Sequence, residues 1–167
     1  MSAGFFSVSE YYKSLFNQKV YKISLDAGCT CPTRDGTKGT KGCIFCLGGS
    51  GDFAEKPSES VFEQIEKAKA RVSKKNPSGK YIAYFQAYTN TYGSLDRLAA
   101  LYEEALAVEG TVGIVVGTRP DCVSDELLDY LSELSKRTFM IVEYGIESTN
   151  DSTLLRINRG HDYATAV

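Results

Sequence analysis

The chain has 167 residues, 43% of them apolar and 24% charged, with a formal net charge of −2. That length suits one domain, and the composition excludes general disorder. No apolar stretch approaches the roughly 18 residues that a membrane span needs, and the charge excludes a binder relying on bulk positive charge.

The N-terminus has no basic segment leading into an apolar core, so no secretory signal is expected, and a reducing cytoplasm follows. The five cysteines are then thiols or metal ligands. Residues 1–19 are expected as a helical extension, and residues 20–167 as the core domain.

Runs rich in β-branched or aromatic residues recur at 20–25, 80–86, 112–117 and 139–145, with helical periodicity between them. The order is β-α-β-α-β-α-β. Ser60 and Glu63 form a capping box ahead of the stripe Val61, Ile65, Ala68 and Val72, which should stop by Asn76 and Pro77. Ser94 opens the next helix, with Leu95, Leu98, Ala99, Tyr102 and Leu106 on one face and Gly110 as its stop. Ser124 opens a third through Leu127, Leu131 and Leu134. A fourth begins near Asn150 and shows no stop before Val167.

The later strand starts are spaced by about 30 residues, the repeat of a (β/α) barrel. The first unit is about twice as long. Its surplus, residues 28–56, holds seven of the fifteen glycines and four of the five cysteines, and a loop of that length in a compact domain is usually functional. Four units cannot close a barrel, so the expected fold is α/β, a partial TIM-like barrel truncated after about four βα units.

Cys43 and Cys46 form a C-x2-C pair, with eleven residues separating Cys31 from it and glycines at 36, 39 and 42 to turn the chain back. Several thiolates at such spacing imply zinc or iron–sulfur. If Cys29 also ligates, four thiolates make a closed zinc site, and the chain is a non-catalytic binding module. If three bind, a 4Fe-4S cluster keeps one iron open, as an enzyme needs. The polar strand ends 86–91, 117–121 and 143–148 should converge beside this loop on the barrel's C-terminal face. Asp121 or Ser124 could serve there simply as a helix cap.

Several segments taken together resemble the radical S-adenosylmethionine (SAM) core of YhcC/YtqA-type proteins, relatives of the Elongator catalytic subunit and of oxygen-independent coproporphyrinogen oxidase. They are SLDAG at 24–28, CPTRDG at 31–36, CIFC at 43–46, YFQAYTNTY at 84–92, GTRPD at 117–121, EYG at 143–145 and NRGH at 158–161. The resemblance implies that Cys31, Cys43 and Cys46 hold a 4Fe-4S cluster and that Cys29 does not. It places Gln86, Thr89 and Asn90 near the amino group of SAM, Glu147 at the ribose hydroxyls, and Arg159 against the carboxylate. Glu143 could face inward and orient Arg119, while His161 is expected as a helix-end hydrogen-bonding group. The implied reaction is reductive cleavage of SAM to a 5′-deoxyadenosyl radical. An electron donor such as flavodoxin or ferredoxin serves it, and wobble-uridine modification of tRNA is the implied task, with a porphyrin-like small molecule as the alternative substrate.

The loop 28–51 carries Arg34, Lys38 and Lys41 against Asp35, a local balance of +2. That charge could steer tRNA phosphates toward the site. The open sheet edge of a partial barrel is expected to promote self-association.

Overall fold

A computed structural model describes residues 4–46, 48, 54, 59–75, 77 and 79–167. The elements run α1 (Val8–Phe16), β1 (Tyr21–Leu25), α2 (Val61–Val72), β2 (Tyr81–Phe85), α3 (Leu95–Ala107), β3 (Thr111–Thr118), α4 (Asp125–Ser135), β4 (Phe139–Tyr144) and α5 (Asp151–Arg156). The far end of the cysteine loop, expected near residue 56, and the expected stop at Asn76 lie outside the described residues.

All four strands are parallel, in the spatial order β1-β2-β3-β4. Parallel neighbours that follow sequence order without reversal are the pattern of a barrel wall, whereas a doubly wound sheet reverses direction at a switch point. The fold is therefore α/β, a partial TIM-like barrel.

Both faces of the sheet are apolar, as strands covered on two sides require. On the outer face Ile23, Leu25, Ala83, Phe85, Ile114 and Val116 pack under the stripes of α2, α3 and α4, including Ile65, Leu98, Tyr102, Leu127 and Leu131. The inner face is covered at its base by α1, where Tyr12 packs with Ile82 and Val115 and is flanked by Phe16, Phe139 and Ile141. Tyr12 and Phe16 both meet the Phe139 ring edge-on, at 5.8 and 5.4 Å between centroids. α1 thus closes the bottom of the sheet's concave side and leaves the top open.

Local signals set the helix starts. Ser7, Ser60 and Ser124 each accept from a backbone N–H in the first turn, and Ser7 and Ser60 are completed by Glu10 and Glu63 in capping boxes. Gly110 turns the chain from α3 into β3 at φ +87°, where a Cβ would stand 2.3 Å from the Gly79 carbonyl oxygen. No other residue fits that turn.

α5 corrects the expectation of a helix running on toward Val167. Asn150 caps its start, accepting from Ser152 N and Thr153 N, but the helix ends at Arg156. Asn158 and Gly160 then take positive φ, 57° and 77°. Asn158 donates from its amide to the Gly42 carbonyl at 2.7 Å, so a tertiary contact with the cysteine loop ends the helix. Among the described residues no helix is long and apolar enough to cross a membrane.

Candidate metal centre

The C-terminal ends of the strands share one face, and the cysteine loop folds over it. Backbone bonds from Arg34 N to Cys31 O (2.8 Å) and Cys46 N to Cys43 O (3.0 Å) make tight turns, and those from Lys38 N to Pro32 O (2.7 Å) and Gly42 N to Thr33 O (2.8 Å) fold the segment between them back on residues 32 and 33. Gly42, at φ +71°, makes room for Arg34, whose guanidinium would lie 2.8 Å from a Cβ there. Arg34 uses that space to donate to the Cys46 carbonyl at 2.5 Å and to lie over the Tyr88 ring.

Beneath the loop is a cavity of about 740 Å³, within the size range of cofactor sites. Cys31, Cys43 and Cys46 all line it, together with Gln86, Thr89, Glu147 and Arg159. Cys31 and Cys43 are buried, while Cys46 is half-buried. Burial opposes ionisation of Cys31, but hydrogen bonds from Thr33 and Thr89 and the nearby Arg119 guanidinium outweigh it and hold the thiol below its ordinary value. A thiolate is the form that binds metal.

The donor set fits a cluster better than a single ion. Zinc with four thiolates needs sulfurs about 2.3 Å from one centre. Three cysteines around a common cavity, with no fourth, match the three-thiolate attachment of a cluster that keeps one iron open. Cys29 stands apart: it belongs to the outer apolar core, and its sulfur accepts from Arg97 Nη1 at 3.6 Å. Burial raises its thiol, the opposite of Cys31. Cys122 is likewise pushed up to about 11 by burial and by Asp121. Cys29 is therefore set apart from Cys31, Cys43 and Cys46.

The other sequence-derived residues divide into two groups. Gln86, Thr89, Glu147 and Arg159 line the cavity. Arg159 is buried, donating to the Gly145 carbonyl and at 3.1 Å to His161 Nε2, with the Glu147 carboxylate 3.9 Å away. His161 accepts on Nε2, which leaves Nδ1 to donate to the Asp162 carbonyl at 2.9 Å. It steadies Arg159 from the turn that follows α5, five residues beyond the helix end where it was expected. Glu147 sits on the cavity wall at φ +72°, one of two non-glycine lining residues with positive φ; the other is Tyr88 at +62°. Backbone strain of that kind concentrates at functional sites.

Asn90 is different. Its amide donates to the carbonyls of Phe85 (2.9 Å) and Gly117 (3.0 Å), and its own carbonyl accepts from Tyr102 Oη at 2.5 Å. It joins the ends of β2 and β3 beneath the cavity and is not among the lining residues.

One further expectation is corrected. Glu143 does not orient Arg119: it accepts from Tyr84 Oη at 2.7 Å and pairs with Lys22 at 3.4 Å. Asp121 instead takes Arg119 in a two-point bond, both contacts 2.9 Å. Asp121 is therefore an ion-pair partner and Ser124 is the cap. The loop cations are also less available than their charge suggests, because Lys38 is bound to Asp121 at 2.6 Å and to the Gly160 carbonyl. Arg34 is engaged with Cys46 and Tyr88, and of the two exposed lysines Lys38 is already paired with Asp121.

The profile of the radical SAM superfamily matches residues 35–167. The chain belongs to the radical SAM superfamily. Members of that superfamily typically bind a 4Fe-4S cluster and SAM, so membership suggests an enzyme. This radical SAM chain is 44% identical over 158 residues to a protein named YtqA of Bacillus subtilis (strain 168), covering 94% of the chain and 49% of the relative. It is 43% identical over 152 residues to Protein YhcC of Escherichia coli (strain K12), covering 89% of the chain and 48% of the relative. An uncharacterized protein of Methanocaldococcus jannaschii is 32% identical over 160 residues, 94% of the chain and 48% of that relative. The radical SAM chain thus spans about half the length of the curated relatives it matches.

Arg119, Arg97 and Tyr88 were not picked out as site residues from the sequence. The signal for Arg119 was available: it follows β3 directly in the motif GTRPD, on the face where barrel residues act. Arg97 sits within a helix and gives no such sign.

Proposed function

We propose that this chain is the cluster-binding and SAM-binding part of a radical SAM enzyme. Cys31, Cys43 and Cys46 would hold a 4Fe-4S cluster, and the carrying observation is that these three cysteines, without Cys29, line one cavity, Cys43 and Cys46 within the matched family region and Cys31 just ahead of it. A cluster and SAM bound there would supply reductive cleavage of the sulfonium to methionine and a 5′-deoxyadenosyl radical, with flavodoxin or ferredoxin as electron donor.

The chain's own residues have distinct tasks in this reading. Arg159, on the cavity wall and steadied by His161 and Gly145, would pair with the SAM carboxylate. Glu147 accepts from the ribose hydroxyls. Gln86 and Thr89 would receive the amino group, with Asn90 beneath them bonding the backbone at the ends of β2 and β3. The covering loop limits water at the cavity.

For the whole protein we infer wobble-uridine modification of tRNA, a reading that rests on the resemblance to the Elongator catalytic subunit. In full-length relatives, SAM cleavage should then be stimulated by tRNA carrying the uridine precursor. Indifference to tRNA with a response to a small metabolite favours the porphyrin-type branch instead.

Anaerobic reconstitution with iron and sulfide tests the cluster. About four irons per chain and a brown colour are expected. Cys31→Ala, Cys43→Ala and Cys46→Ala should each abolish both, while Cys29→Ala and Cys122→Ala retain them. Stoichiometric zinc that requires Cys29 would overturn the reading.

A further inference from the structure

Arg119 is a buried cation, each of whose three nitrogens has a partner. It is 2% exposed. Nε and Nη2 reach the two carboxylate oxygens of Asp121, and Nη1 points to the Cys31 sulfur at 3.8 Å. Asp121 is itself 3% exposed and receives Lys38 from the cysteine loop at 2.6 Å. The result is a line of charge running from Lys38 through Asp121 and Arg119 to one sulfur.

Stability alone gives little reason for such a line. Burying an ion pair costs desolvation that its Coulomb attraction often only balances, and apolar residues of similar volume serve as well or better. Nor is Arg119 placed to take a ligand's carboxylate, because Asp121 already occupies its fork and the remaining nitrogen faces Cys31. Arg159 differs: it approaches Cys43 at 3.7 Å, but its neighbouring carboxylate, Glu147, stands 3.9 Å away and does not occupy its fork as Asp121 does that of Arg119.

We propose that Arg119 is a positioning residue that sets the charge at the Cys31 sulfur and so raises the reduction potential of the cluster, with Asp121 moderating its effect. This rests on the cluster reading above. A cluster gains one negative charge when reduced, so a fixed cation donating to a ligating sulfur favours the reduced form. Hydrogen bonds to the sulfurs and local charge are the protein's means of tuning such potentials. Asp121 neutralises part of the guanidinium charge, which gives two substitutions on one line opposite effects.

The test is a redox titration of the reconstituted chain followed by electron paramagnetic resonance, with iron counted in every sample. Arg119→Met should keep about four irons. At a fixed poise its ratio of reduced to oxidised cluster should fall about tenfold, or about 59 mV for a one-electron couple. Arg119→Lys, which keeps the charge, should restore most of that ratio. Asp121→Asn should move the potential upward. Potentials that coincide across these variants overturn the inference while the cluster reading stands, and so does Asp121→Asn shifting downward. Should Arg119→Met hold no cluster, the sign of the shift in Asp121→Asn decides. If the wild-type chain takes up no iron–sulfur cluster, both readings fall together.

Discussion

Gln64 on α2 grips the backbone of Asp26 with both ends of its amide. Nε2 donates to the Asp26 carbonyl at 2.7 Å, and Oε1 accepts from the Asp26 N–H at 2.9 Å. The side chain is fully buried. It satisfies the backbone where β1 ends and the cysteine loop begins, and so fixes the direction in which that loop departs.

Replacing Gln64 by Leu leaves both Asp26 backbone groups without these partners. Each unsatisfied buried group costs about 1–3 kcal/mol. Urea denaturation of Gln64→Leu should show a loss of about 2 kcal/mol or more. An unchanged midpoint would mean that water replaces the amide without penalty.

The Asp121 carboxyl makes stability depend on acid. Burial alone would raise its pKa, but the hydrogen bonds from Arg119 and Lys38 prevail and lower it from 3.8 to about 2. A carboxyl depressed on folding stabilises the fold fully above its unfolded value, near 4, and that contribution is lost as pH falls toward 2. Its size is about 2 kcal/mol. Urea midpoints of wild type and Asp121→Asn, measured from pH 7 down to pH 2, should converge at the acid end. Parallel curves would show that the pair contributes nothing through this titration.

Gly110→Ala should be strongly destabilising. The added Cβ meets a backbone oxygen at 2.3 Å, and the φ of +87° is strained for alanine in any case. A left-handed non-glycine residue costs about 1–3 kcal/mol before the clash is counted. Thermal unfolding should therefore fall by many degrees, whereas Gly36→Ala, where a Cβ meets nothing within 4 Å, should cost only the conformational part. Equal losses at both positions would contradict the steric argument.

Among the described strands β1 and β4 each have one sheet neighbour. β4 is the less buried of the two, with no residue in the fully buried class. An unpaired edge of this length favours pairing with another chain. Light scattering of the 167-residue chain should show dimers or larger species, with β4 amides slow in hydrogen exchange at high concentration and fast on dilution. A monomer at all concentrations would speak against edge pairing.

Much of this protein is legible before folding is considered. The four strands were found from their β-branched runs, and the Ser60–Glu63 and Ser124 caps from local patterns, because such signals act over a few residues. The spacing of Cys31, Cys43 and Cys46 pointed to metal because few other arrangements need clustered thiols among so many glycines. The end of α5 was not legible: Asn158 leaves the helix to bond Gly42, more than a hundred residues away in sequence.

What the sequence determined by itself is therefore the repeat, the helix starts and the set of ligand candidates, all carried by short-range periodicity, capping and residue chemistry. The tertiary structure decided which of those candidates share a space. It separated Cys29 from the other three cysteines by turning its side chain into the outer core beside Arg97. It set Asn90 beneath the cavity, and it gave Arg119 to Asp121 and Cys31 rather than to Glu143. Those choices depend on where the strand ends converge and which polar groups must be satisfied once buried, and no local pattern carries that information.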